Sequence, residues 1–325
     1  VTKLGYQIPN FTYPGVGPDG LFEAVARQAE AAERSGFDTV LVMDHFYQLP
    51  MLGPPESYMV ECYTMLAALA QRTDRVRLSA LVTGNTYRNP TLLAKTVTAL
   101  DIVSRGRAQL GIGAGWFELE HDALGFEFGT FTDRFEKLEE ALQIILPMLR
   151  GERPSLDGKH YTVKDAVNQP PAVGRIPVMI GGAGERKTLR MAAQYADESN
   201  LICDPADVPR KLEVLAAHCE ALGRDRSELT VSVQRTVCIA PTHEQAEAEL
   251  ASALGERGVD LGSLDDATRK AITDRFTLGD PDEVGEQLAA VLETGVDGFT
   301  MNLPANGHDP DRVELLGQTA SKLVG

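Results

Sequence analysis

Cysteine is scarce in this chain of 325 residues, and the four present, Cys62, Cys203, Cys219 and Cys238, show no Cys-x-x-Cys spacing. Neither a disulfide framework nor a cysteine-held zinc site is suggested, and a reducing cytoplasm is the expected home. Positive charge is also short: 31 Lys and Arg stand against 47 Asp and Glu, a net charge of −16. That balance argues against nucleic acid or an anionic membrane surface as the main partner. No apolar run approaches the roughly 20 residues of a membrane span. The segment Val1–Asn10 lacks the basic region and long apolar stretch of a secretory signal. Low-complexity tracts, short internal repeats and flexible linkers do not stand out either, so one folded unit over 1–325 is expected.

What is present is alternation. Apolar runs of strand length recur at Leu4–Ile8, Thr39–Met43, Val76–Val82, Ala108–Ile112, Pro177–Ile180, Ser199–Cys203, Leu229–Ile239 and Gly298–Leu303. Helical periodicity fills the intervals, for example at Gly20–Ser35, Thr91–Ser104 and Thr132–Leu149. Continuous runs such as Thr39–Met43 are those of strands buried on both faces of a parallel sheet. Eight such units in this length predict an α/β fold, the (β/α)8 TIM barrel, with insertions at about 151–175 and 255–278. A doubly wound open sheet is the alternative.

In such a barrel the C-terminal ends of the strands converge on one mouth. Here they bring Asn10, then Asp44, His45 and Tyr47, then Thr83, then Gly113, Ala114 and Trp116, then Gly181-Gly182-Ala183-Gly184. The set holds one well-placed histidine and lacks the cluster of His and acidic ligands of a metal hydrolase, so no metal is expected. His45 can exchange a proton near neutral pH, or it can be a structural histidine capping the turn. Gly181–Gly184 leads from a strand into a helix expected to begin near Glu185, where free N–H groups and the helix dipole suit a phosphate. The bland alternative is a tight turn. Lys187 replaces the third glycine of a dinucleotide fingerprint counted from Gly182, and no Walker loop is formed. Gly113 and Ala114 either let a flat ring approach the backbone or ease packing, and Trp116 either walls a planar ligand or packs as core or lid. His121, after Glu120, is expected beyond the mouth, and the acidic runs Glu136–Glu140 and Glu244–Glu249 read as solvated helix faces.

The segments DTVLVMDHF, LVTGNTYRNPTLLAKTVTALDIVSRGRAQLGIGAGWFELEHDALG, DRFEKLEEAL and IPVMIGGAGERKTLRMAAQYAD resemble the bacterial luciferase-like superfamily. More narrowly, they resemble its actinobacterial F420-dependent oxidoreductases. The likeness covers nearly the whole chain and implies a luciferase-like TIM barrel that binds a deazaflavin or flavin in its mouth. It implies a bulge in the third strand, with a non-proline cis peptide at Ala80–Leu81 and Thr83 following, under one face of the ring. It also implies phosphate binding at Gly181–Gly184 and an active-site role for His45, with Asp44 orienting or tuning it.

The implied reaction is hydride transfer between coenzyme F420 and a small organic substrate. The alternatives are an FMN-dependent monooxygenase fed by a separate cofactor-reducing enzyme, and a catalytically silent cofactor-binding protein. A homodimer is implied as well. Asn10, Tyr47 and Trp116 are expected in the substrate pocket. Trp116 stands where the glucose-6-phosphate dehydrogenases of the family carry an acidic residue, so an apolar or aromatic-bearing substrate is expected in place of a sugar phosphate.

Overall fold

Eight parallel strands close on themselves in the computed structural model, which describes Lys3–Val324. Val1 and Thr2 of the N-terminal segment, and Gly325 at the end of the expected unit, lie outside the described residues. The barrel strands are Lys3–Ile8, Thr39–Val42, Arg77–Ala80, Ala108–Gly113, Val178–Gly181, Glu198–Leu201, Thr230–Ile239 and Gly298–Asn302. Each pairs with its neighbour in chain order, and the eighth returns to the first with Gly5 opposite Thr300, so the sheet has no open edge among these eight. The TIM barrel is therefore the observed fold, and the open sheet is set aside.

Local chemistry places the helices around it. Asn89 caps the helix Pro90–Val103 by accepting from the Thr91 amide at 2.9 Å, with Pro90 in the first turn where no N–H is needed. Thr130 and Asp133 form a reciprocal capping box at the start of Phe131–Leu149. All six residues of the fourth strand are buried, as the unbroken apolar run requires. The first insertion holds a hairpin, Leu156–Asp157 against Thr162–Val163. The second is more ordered than its polar sequence suggested, with a helix at Asp266–Thr273 and a short strand, Thr277–Gly279, beside Val237–Ile239.

The inside of the barrel is unusually polar for a fold whose interior layers are mostly branched and apolar. Gln7 accepts from Gln234 and Asn302, both at 2.8 Å, while Asn200 donates to Ser232 and Thr300, both at 2.9 Å. Gln7 also donates to the Leu81 carbonyl at 3.4 Å, which joins this network to the end of the third strand.

That strand end is bulged. Ser79 pairs with Gln109 and Thr83 with Ile112, so four steps along one strand match three along the other. The extra residue lies within Ala80–Val82, which agrees with the expected bulge. The non-proline cis bond is one residue later than expected, at Leu81–Val82 and not Ala80–Leu81. The shift follows from the register: Leu81 still donates its amide to the Val42 carbonyl of the second strand, so the chain departs from the sheet only beyond it.

Glycine makes the bulge possible. A Cβ on Gly111 would lie 2.0 Å from the Ala80 carbonyl oxygen. Gly111→Ala is therefore expected to cost more than about 2 kcal/mol by forcing backbone apart. Gly285→Ala, inside the helix Pro281–Leu292 with its new Cβ 3.7 Å from Thr319, is expected to stabilise by up to about 1 kcal/mol. Thermal unfolding of the two variants beside the parent checks both signs.

Candidate active site

The second strand ends at Val42, and the chain leaves it through Met43 and Asp44 to His45 at the mouth. His45 Nδ1 lies 2.9 Å from an oxygen of Glu120, a residue of the short helix Glu118–Leu124 after the fourth strand. The Glu120 side chain is 0% exposed. Its other oxygen accepts the amides of Phe46 at 2.5 Å and Tyr47 at 2.7 Å, and the Tyr87 hydroxyl donates to the oxygen that faces His45. Burial alone would raise this carboxyl, but the His45, Tyr47 and Tyr87 hydrogen bonds hold it below the ordinary glutamate value. Glu120 is thus an anion fixed by four donors, and the network gives it the Nδ1–H of His45. Nε2 has no partner among the described residues, which leaves it as the nitrogen able to exchange a proton.

Asp44 does something else. Its carboxylate is held by both Arg88 terminal nitrogens, at 2.6 and 3.0 Å, and accepts the Gly84 amide at 3.1 Å. It is not bonded to His45, so the expectation that it orients that ring is corrected: Glu120 holds the position. Arg88 also binds Glu61 at 2.6 Å, and these two carboxylates keep its guanidinium above its ordinary value although burial opposes the charge. The Asp44–Arg88 pair ties the end of the second strand to the turn after the bulge. Thr83, buried beside it, shares a 2.6 Å hydrogen bond with Tyr63.

The bulge lies between glycines. A Cβ on Gly113 would come 2.9 Å from Val82, and one on Gly181 would come 2.7 Å from it, so two neighbouring strands keep their ends bare where Val82 stands. Ala80 and Leu81 are buried, and Ala114 is partly buried against the core. After Gly181 the loop carries Gly182 at φ +121, a conformation that favours glycine, and its amide bonds to the Asn200 carbonyl. The Ala183 and Gly184 amides have no acceptor among the described residues. The following helix begins at Thr188, not near Glu185, because Glu185–Lys187 form a turn first. Lys187 points its ammonium at the Phe131 and Phe135 rings, 5.5 and 5.4 Å from their centroids.

Aromatic rings wall the histidine. Trp116 stands edge-on to His45 at 5.9 Å and is 57% exposed, so it borders the opening and is not core. Phe117 also meets the His45 ring edge-on, at 5.7 Å, and packs with Tyr47 in one cluster. Asn10 is in an adjoining chamber of about 390 Å³ with Gln48, Leu52 and Asn306. His121 is buried and structural, bonded to Thr86 at 2.7 Å and to the Phe117 carbonyl at 2.8 Å. The acidic runs are less solvated than expected, since Glu140 accepts three amides of the 159–161 turn and Glu249 binds Arg312. Asp133, Glu136 and His160 converge at the surface, where the Lys159 ammonium lies 2.7 Å from Glu136.

Sequence reasoning missed Glu120, Tyr87 and Arg88. The only available signal was an acid beside His121 in a short segment after a barrel strand, and nothing in spacing ties position 120 to position 45.

The C-terminal mouth of this closed parallel barrel thus holds a carboxylate-backed histidine beside a bulged strand bordered by glycines. The luciferase-like monooxygenase family matches residues 2–298, and the chain belongs to that family. A relative from Microbacterium testaceum, an F420-dependent glucose-6-phosphate dehydrogenase, is 29% identical over 86% of this chain and 87% of its own length. A monooxygenase from Streptomyces bottropensis superposes with a TM-score of 0.83 at 19% identity, covering 99% of this chain and 100% of that one. The F420-dependent tetrahydromethanopterin reductase of Methanopyrus kandleri gives 0.77 at 19% identity over 98% of both chains.

Replacing Glu120 by Gln removes the buried anion at nearly constant volume. A loss of about 1–3 kcal/mol is expected near neutral pH. Because the folded-state carboxyl is depressed, that advantage of the parent is complete above the ordinary glutamate value and is lost as pH falls through the lower folded one. Unfolding midpoints of parent and Glu120→Gln should therefore converge on acidification; a constant gap from about pH 7 down to about pH 3 would refute the assignment.

Proposed function

We propose that this protein is a coenzyme F420-dependent oxidoreductase that transfers a hydride between the deazaflavin and a small organic substrate. The observation that carries this reading is His45, oriented by Glu120 with Nε2 left open, beside the bulged third strand. The names of its curated relatives support the choice of cofactor.

The residues present fit such a group. Gly113 and Gly181 leave their strand ends bare for the Val82 side chain, and in this reading the bulged segment would offer Val82 to one face of a flat ring. The unpartnered amides of Ala183 and Gly184 suit a phosphate without a helix N-terminus directly behind them. When bound, the deazaflavin supplies the hydride chemistry.

The chain supplies the proton. If the substrate is an alcohol being oxidised, His45 Nε2 would take its O–H proton, while a bound deazaflavin would supply the hydride acceptor. The imidazolium formed would be balanced by the fixed Glu120 anion 2.9 Å away. In the reverse direction Nε2 returns the proton. Asp44 contributes through Arg88 and the Gly84 amide, by holding the strand ends in register. Trp116, Tyr47 and Phe117 exclude water and offer an aromatic wall to the substrate, with Asn10 in the side chamber. A homodimer and a cytoplasmic setting belong to the same reading.

The second reading, an FMN-dependent monooxygenase, has support from the Streptomyces bottropensis neighbour. Titrating the protein with F420 and with FMN separates the two: F420 binding with little FMN binding is expected, and FMN binding without F420 binding overturns the proposal. His45→Ala is expected to keep F420 affinity within about threefold while lowering turnover by roughly 10²–10⁴ on the substrates the parent accepts from a panel of alcohols and sugar phosphates. Unchanged turnover would remove His45 from the chemistry.

A further inference from the structure

Three carboxamides meet inside the barrel at the height of the mouth. Gln7 is the penultimate residue of the first strand and Asn302 the last of the eighth. Gln234 is one step beyond Val233, the residue of the seventh strand that pairs with the last of the sixth. Gln7 bonds to Gln234 on one side and to the Leu81 carbonyl of the bulged third strand on the other, a span that only the lumen allows. A cavity of about 180 Å³ at the opposite end of the barrel is bordered by Lys3, Gln109, Glu198, Thr230 and Thr300. Gln234 takes no part in lining it, so its half-buried amide opens toward the mouth.

The direction of every amide in this cluster is set by one backbone group. The Leu81 carbonyl can only accept, so Gln7 turns its NH2 toward it, at 3.4 Å. The Gln7 oxygen then faces the other two side chains, which must donate, as Gln234 and Asn302 both do at 2.8 Å. Their own oxygens are left over. Asn302 Oδ1 is buried without a partner, in a residue that is 5% exposed. Gln234 Oε1 has no donor among the described residues either. Flipping either amide would set two oxygens against each other, so rotation cannot cure the deficit.

Bare acceptors of this kind call for a donor from outside the chain, since a polar group left unpaired is costly. They also define its chemistry. A carboxylate or phosphate would meet oxygen with oxygen, and no charged side chain bonds to these three amides. On the other side of the lumen Leu41, Leu81 and Met179 pack as an apolar cluster with Val82. The two halves suit a ligand with a flat apolar face and a neutral hydrogen-bonding edge. We propose that Gln234, backed by Asn302, is a specificity residue of the mouth that accepts a hydrogen bond from a neutral N–H or O–H of the bound ligand. The donor is the imide N–H of the cofactor's pyrimidine ring or a hydroxyl of the substrate. This deepens the oxidoreductase reading and rests on it for the identity of the ligand. Because Gln7 also holds the Leu81 carbonyl, the network that reads the donor is the one that carries the bulge.

Uracil, a bare neutral imide, is the first probe, by thermal shift on the full chain. The parent is expected to be stabilised, and Gln234→Met, close in volume but without the amide, to need about tenfold more for the same shift. The 1,3-dimethyl form of uracil keeps the ring and has no N–H, so it should stabilise parent and variant alike, and only weakly. Equal uracil responses in parent and variant overturn the proposal. Equal responses of the parent to uracil and its dimethyl form do the same, and that comparison needs no variant. Two further measurements find the source of the donor. About tenfold weaker F420 binding by Gln234→Met assigns it to the cofactor. Unchanged F420 binding, with KM for an accepted alcohol raised about tenfold at nearly constant kcat, assigns it to the substrate. No change in either overturns the proposal as well. If F420 does not bind the parent at all, the cofactor reading fails, while the uracil comparison still decides the role of Gln234.

Discussion

The carboxylate of Glu120 is the constraint on which the mouth depends. A buried, unpaired carboxylate costs several kcal/mol, and four donors from two different loops remove that cost here. The requirement runs both ways. Glu120 needs Tyr87, His45 and the 46–47 backbone in place, and those segments, which have little regular structure of their own, are held in place by needing Glu120. An apolar contact would tolerate sliding; a charge with four directed hydrogen bonds does not. The histidine's geometry therefore comes from electrostatics inside a loop cluster, although the loops stand on a rigid barrel.

Adjacent residues at the end of the second strand divide the work. Asp44 turns toward Arg88 and the Gly84 amide, and fixes one strand end against the next. His45 turns toward Glu120. Beneath them the polar interior continues the same logic, since Gln7, with its acceptor oxygen taken by Gln234 and Asn302, presents its amide to the Leu81 carbonyl. The bulged segment is thus held from below by an amide network and from the side by an ion pair. Barrel interiors filled with branched apolar residues have no such directional support to offer.

The barrel was legible because its signal is periodic: eight apolar runs and the helical patterns between them are properties of neighbouring residues. His45 was legible because the end of a barrel strand is a predictable address. The swap of Asp44 for Glu120 was not, since the nearer carboxylate in sequence turned away in space, toward an arginine 44 positions on. Boundaries failed where turns intervened, as at Glu185–Lys187, and the cis bond fell one residue late because the Leu81 amide stays in the sheet.

Trp116 has a consequence of another kind. It is the chain's single tryptophan, exposed at the opening and edge-on to the His45 ring. In most proteins ultraviolet emission averages over several indoles scattered through the molecule. Here all indole emission originates beside the His45 ring, whose centroid is 5.9 Å from that of Trp116. The molecule carries its own lamp at its entrance, and whatever enters or leaves changes the light without a label being attached.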